Sequence, residues 1–306
     1  MLLYILIIII LLIFFTAYYF SNSILYPHRQ PISSNPLEYG MKYEDIEFPS
    51  TDGLKIRGWL IPGKSKKTII ITHAMPFNRH GFKIKNQGLV KLFSTNVELL
   101  KTAKALNAEG YSIVIFDFRN HGESEKGMTA VGLTEYQDIL GAMNFVRLNP
   151  KLDEKNLSFV SFCMGANATI IAMSKAKEVI KKIKCMVAIQ PISMEVFVYT
   201  FAKTKFSVLS WPIVPLIDFI SQARGGFPLS ELSPAKFCKD INFPVLFVQA
   251  KTDPWTDLKD IENFYNLTNS EKEFWYLEER MGRFDAYNYV GEHPEKIIKF
   301  LDKYMK

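Results

Sequence analysis

Leu157-Ser-Phe-Val-Ser-Phe-Cys163-Met-Gly165 decides the fold. Leu157 to Phe162 carry no charge and are rich in aromatic and branched side chains, so they read as a buried strand. Met164 to Ala176 read as a helix. With no spacer between the two, the chain must turn sharply at Cys163, and such a turn pushes one side chain into an open cleft.

The same alternation extends in both directions. Tyr43 to Phe48 and Leu54 to Ile61 flank Thr51-Asp52-Gly53, which is a hairpin signal. Thr68 to Thr72 is an apolar strand ending at His73. Ser94 is expected to start a helix, with Glu98 completing a capping box and Gly110 ending it. Strands follow at Tyr111–Phe118, Cys185–Gln190, Pro244–Gln249 and Phe274–Leu277. Helices are expected at Thr134–Leu148, Asp257–Leu267 and Pro294–Met305. Uniformly apolar strands alternating with helices imply a mostly parallel sheet covered on both faces. Residues 192–241 interrupt this rhythm. Phe197, Tyr199, Phe201, Phe206, Trp211 and Phe219 lie there, and the segment is expected to form an apolar helical cap above the site.

Leu2 to Phe20 hold no charged side chain. About 18 such residues are enough to cross the bilayer core, and Tyr18, Tyr19 and Phe20 fall where interfacial aromatics are expected. The rival reading is a cleaved signal peptide, but a basic n-region and a clear cleavage site are absent. The expected organisation is a transmembrane anchor at 1–21, a linker at 22–42 and one domain at 43–306. Arg29 and Lys42 follow the apolar segment, which places the domain on the cytoplasmic side. The net charge of +6 includes lysine runs at Lys64, Lys66, Lys67 and at Lys181, Lys182, Lys184. These read as solvated surface, and no nucleic-acid partner is expected. Cys163, Cys185 and Cys238 fit neither a disulfide framework nor a metal site, and no cofactor is expected.

Four segments in order carry a family resemblance: Thr72-His73-Ala74-Met75-Pro76, Phe116-Asp117-Phe118-Arg119-Asn120-His121-Gly122-Glu123-Ser124, Ser161 to Gly165, and Gln249-Ala250-Lys251-Thr252-Asp253-Pro254-Trp255. From Tyr43 to the C-terminus the chain resembles an α/β-hydrolase. With its apolar leader it is similar to membrane-anchored members that act on acyl esters. The resemblance implies a nucleophile elbow, usually Gly-x-Ser-x-Gly, in which Ser161 replaces the first glycine and Cys163 the serine. Cysteine at that position resembles dienelactone-hydrolase-type members. The resemblance further implies an oxyanion hole from the backbone N–H of Met164 and of Ala74 or Met75, a structural His73, and Asp253 as the acid of the triad. Asp257 is better placed than Asp253 to cap the helix that follows.

The resemblance also implies a histidine near Met281, Gly282 or Arg283, where Glu278-Glu279-Arg280-Met281-Gly282-Arg283-Phe284-Asp285 has none. Of His28, His73, His80, His121 and His293, the candidate base is His293, followed by His80. Arg280, Arg283 and Asp285 are candidates to replace the imidazole in part. A guanidinium favours a thiolate but cannot shuttle its proton. The function expected is a membrane-anchored hydrolase of ester or thioester bonds, its partners an apolar acyl substrate and membrane lipid. Two alternatives stand beside it: a catalytically silent binding protein, and a cysteine that accepts an acyl group or an oxidant without turnover.

Overall fold

The computed structural model describes residues 1–88, 93–176 and 183–306. Lys181 and Lys182 lie outside the described residues, while Lys64 and Lys66 are exposed. The strands are β1 (Glu44–Pro49), β2 (Lys55–Ile61), β3 (Lys67–Thr72), β4 (Gly81–Phe82), β5 (Val97–Glu98), β6 (Ser112–Phe116), β7 (Asp153–Phe162), β8 (Ile183–Ile189), β9 (Val245–Ala250) and β10 (Lys272–Leu277). Eight of them form one sheet in the order β1-β2-β6-β3-β7-β8-β9-β10. β1 pairs antiparallel with β2 and β2 with β6, and every later pair is parallel. Ile69, Ile70 and Ile71 of β3 are all fully buried, so both faces of the sheet are covered, as their continuous apolar run requires.

The strand order reverses at β3, with β6 on one side and β7 on the other. The loops leaving the carboxyl ends of β3 and β7 therefore diverge, and a crevice opens between them. Cys163 follows β7 at that crevice. Above it, the cap helices Met194–Phe206 and Ser210–Ala223 rise between β8 and β9.

Three expectations need correction. The helix after β3 begins at Leu99, not Ser94, and has no capping box. Val97 and Glu98 pair instead with Phe82 and Gly81 as a small ribbon, and the Glu98 carboxylate binds Lys83 and Lys101. That ribbon belongs to the polar insertion after β3, whose residues 89–92 are not described. Residues 283–292 are a helix that the sequence reading did not expect. The N-terminal helix runs from Leu2 to Leu25 and is partly built into the domain. The Thr129 hydroxyl donates to Ile24 O, the Thr129 N–H donates to Leu25 O at 2.9 Å, and the Ser221 hydroxyl donates to Ser21 Oγ at 3.1 Å. The linker is likewise held down. Arg29 donates to the carbonyls of Gly122 and Ser124 at 2.7 Å each, and Gln30 Oε1 accepts from the Lys83 N–H at 3.0 Å.

Candidate active site

β7 ends at Phe162 and the next helix starts at Met164, so Cys163 alone makes the turn. Its φ is 48° and its ψ −112°. An L-residue held there stores about 1–3 kcal/mol of strain, which the surroundings must offset. Its N–H donates to Ile189 O at 2.9 Å, and its carbonyl accepts from the Asn167 N–H at 3.0 Å. Gly165 is required by close approach, because a Cβ there would lie 2.4 Å from Thr72 Oγ1 and 2.9 Å from His73 O. Ser161, in place of the other glycine, turns into the core, where its hydroxyl lies 3.0 Å from the Thr169 hydroxyl.

His73 fastens the loop after β3. Its Nε2 accepts from the Phe118 N–H at 3.0 Å, so Nδ1 carries the proton and donates to Ala74 O at 2.8 Å. Burial and the neighbouring His121 ring hold the His73 imidazole well below its usual titration range. The loop brings Met75 to the edge of the same cavity as Cys163, with Ala74 buried beneath. The Met164 N–H, first in its helix, has no acceptor within that helix.

Asp253 follows β9 and is buried. It accepts from the Thr256 hydroxyl at 2.9 Å and from the Trp255 N–H at 3.0 Å. Asp257, as expected, caps the next helix, accepting from the Lys259 N–H at 3.0 Å. The main partner of Asp253 is Arg283, whose guanidinium forms a buried ion pair with it. Arg283 also donates to Gln190 O at 2.7 Å, while the Gln190 amide donates back to Arg283 O at 3.0 Å.

Arg283 therefore stands where the resemblance called for histidine, bonded to the acid and lining the same cavity as Cys163. Burial opposes its charge, but the ion pair with the Asp253 carboxylate offsets burial and keeps it protonated. Tyr287 lies one helical turn later on the same face. Its hydroxyl is buried with no hydrogen-bond partner among the described residues, and the side chain lines the same cavity as Cys163 and Arg283. Burial pushes the Tyr287 phenol far above its ordinary range, against the pull of Arg283.

The structure does not bring His293 to this group. It ends the 283–292 helix, exposed, with its ring 4.4 Å from that of Tyr289. The 283–292 helix, absent from the sequence reading, holds it away, about 15 Å along the axis from Arg283 at 1.5 Å per residue. His80 is buried beside Ser33 and Pro31, and burial lowers it to about 4. His121 bonds Arg119 O at 2.8 Å, and burial lowers it to about 4. No histidine ring hydrogen-bonds the Cys163 thiol among the described residues. His28 alone of the imidazoles reaches the cavity wall. Arg280 is exposed, and Asp285 accepts from the Gly282 N–H and the Thr95 hydroxyl. Arg283 was one of several basic candidates in the sequence; Tyr287 and Gln190 went unnoticed, although the four-residue spacing from Arg283 was the available signal for Tyr287.

Cys163 opens into a cavity of about 150 Å³. Its walls are Met75, Phe82, Phe93, Val131 and Phe284 from the domain, Met194, Phe197 and Phe206 from the cap, and Tyr19, Phe20 and Ile24 from the N-terminal helix. Among the described residues no His/Cys/Asp/Glu cluster is suited to a metal ion.

The family model for the alpha/beta hydrolase fold matches residues 68–203. The uncharacterized protein YqkD of Bacillus subtilis is 26% identical over 85% of this chain and 75% of its own length. A thiohydrolase of Eupenicillium brefeldianum is 25% identical over 49% of this chain, an alignment that spans only 43% of that protein. The esterase PF2001 of Pyrococcus furiosus superposes with a TM-score of 0.70 at 20% identity, over 92% of this chain and 99% of the esterase. Strand order, cap position, elbow geometry and these likenesses agree, and the chain is an α/β-hydrolase-fold protein.

Proposed function

We propose that this chain is a membrane-anchored hydrolase that cleaves acyl thioesters and activated esters through Cys163. The observation that carries the reading is the elbow cysteine facing the buried Arg283–Asp253 pair across an apolar cavity. In this reading the Cys163 thiolate, paired with the Arg283 cation, attacks the acyl carbon and forms a carbon–sulfur bond. The carbonyl oxygen takes the negative charge and is held by the N–H of Met164 and of Ala74 or Met75. Collapse restores the carbonyl and expels the leaving group with its bonding electrons. A thiol ionises near about pH 8.5 and departs as thiolate without an acid, whereas an alkoxide needs a proton. Arg283 keeps its proton throughout and supplies none. The missing imidazole therefore selects for thioesters over alkyl esters. Leu2 to Phe20 anchor the enzyme, and the apolar walls receive the acyl chain. The thiohydrolase and esterase names of the relatives support this class of substrate.

The absence of a hydrogen-bonded imidazole favours a second reading, in which the acyl-cysteine passes to an amine or thiol acceptor instead of water. Water needs a general base; a better nucleophile needs less help. The full-length chain in detergent, given matched medium-chain thioesters and alkyl esters, tests both. Thioester cleavage that is absent from Cys163→Ala, with alkyl esters spared, supports the proposal. Cleavage only when an amine or thiol acceptor is added supports the second reading. Equal cleavage of both esters, or retained activity in Cys163→Ala, contradicts both.

A further inference from the structure

The N-terminal helix is free of the domain for only part of its length. Ala17, Ser21, Ile24 and Leu25 are buried against the domain and Ile13 is half-buried, whereas most residues before Ile13 are exposed. The stretch Leu2 to Thr16 rises about 22 Å, short of the roughly 30 Å hydrocarbon core. The missing depth falls at Ala17 to Phe20, where the helix packs along the cap helix Ser210–Ala223. A span that includes Phe20 therefore draws the cap into the bilayer with it.

The cap surface is suited to that position. Val208 and Trp211 are 82% and 83% exposed at the tip of the cap hairpin, and Phe219 is 68% exposed on the same helix. From the level where Ser21 meets Ser221, the cap helix runs back about 15 Å to Trp211, along the N-terminal helix towards Ile13. Lys203 and Lys205, exposed just before the tip, are the charged side chains that this seat takes below the headgroup level. At the other end, Arg224 bonds Asn22 at 2.9 Å and lies over the Tyr18 ring, the pairing expected at a membrane–water boundary.

We propose that the cap hairpin, Met194 to Ala223, is seated in the lipid hydrocarbon beside the N-terminal helix, and that acyl chains enter the cavity from the bilayer between Phe20 and Phe206. Both rings line that cavity, with centroids 5.6 Å apart, one from each wall. The inference rests on the anchoring reading above, and its test separates the two. Spin labels are placed on Val208→Cys, Phe219→Cys, Ile9→Cys and Leu148→Cys in full-length chain carrying Cys163→Ser, reconstituted in phosphatidylcholine vesicles. The labels at 208, 219 and 9 are expected to collide more with oxygen than with an aqueous nickel chelate. The label at 148, exposed before the amino end of β7, is expected to do the reverse. A label at 9 in lipid with 208 and 219 in water overturns the inference and leaves the anchor standing. A label at 9 in water overturns the anchor and the inference together.

Discussion

Arg283 is the residue that sets this site apart. A buried cation cannot be removed alone without cost, because Asp253 would be left uncompensated. Arg283→Met is expected to lower stability by about 3–5 kcal/mol, and Arg283→Met with Asp253→Leu to recover part of it, as read from denaturant midpoints. Arg283→His would place an imidazole beside the acid, and deacylation is expected to accelerate by about 10²-fold or more. Single-turnover kinetics with a thioester check this, and an unchanged deacylation rate would argue against the assigned position. The site was legible in part. The sequence pointed to Cys163 and Asp253; Asp253 pairs with Arg283, and Arg283 lines the cavity that Cys163 opens into. Arg280, Arg283 and Asp285 lie within six residues, and only where the helix begins and its phase separate them. Arg283 and Tyr287, four apart, face the thiol, while Arg280 precedes the helix and stays exposed.

The elbow and the 283–292 helix show how differently elements declare themselves. The elbow was readable because a buried strand and a buried helix abut with no spacer. Gly165→Ala is expected to force the backbone apart from Thr72 and His73, cutting kcat/KM by about tenfold or more through displacement of the turn. Full activity in that variant, with an unchanged melting temperature, would contradict the packing described. The 283–292 helix was hidden for a physical reason. Arg-Phe-Asp-Ala-Tyr-Asn-Tyr-Val-Gly-Glu mixes polar and aromatic residues without a clean apolar stripe, and carries Gly291, of low helix propensity, one residue before its end. Gly291 lies against the helix Leu99–Ala108, where a Cβ would meet Thr102 Oγ1 at 2.7 Å. Tertiary packing, invisible in the local pattern, makes this segment helical.

Across the whole molecule, the mostly parallel sheet and the cap followed from the alternation of elements, whereas the strand order and the use of the N-terminal helix as a cavity wall did not. Contacts such as Ser21–Ser221 are 200 residues apart in sequence and leave no local signal. Three buried histidines tie stability to pH. His80 and His121 titrate at about 4, and His73 well below its usual range, each chiefly through burial. Their folded values lie below the unfolded value of about 6.5, so the unfolded chain binds more protons in acid. Their contribution is complete above about pH 6.5 and is lost as pH falls below it, up to about 3 kcal/mol each for His80 and His121 as pH approaches about 4. Urea midpoints across that range are expected to fall, and His121→Gln to flatten the slope. A flat wild-type profile would show these rings to be protonated as readily in the folded chain as in the unfolded one.

The central claim is that Cys163 forms the acyl bond with Arg283, not histidine, beside it. Intact-mass and peptide-mass measurement of the full-length chain, quenched early after mixing with an acyl thioester, tests it most directly. The account predicts one added acyl group per chain, located on the peptide bearing Cys163, formed as readily in His293→Gln and absent in Cys163→Ala. An unmodified Cys163 peptide while thioester is being consumed, or loss of the adduct in His293→Gln, would contradict it.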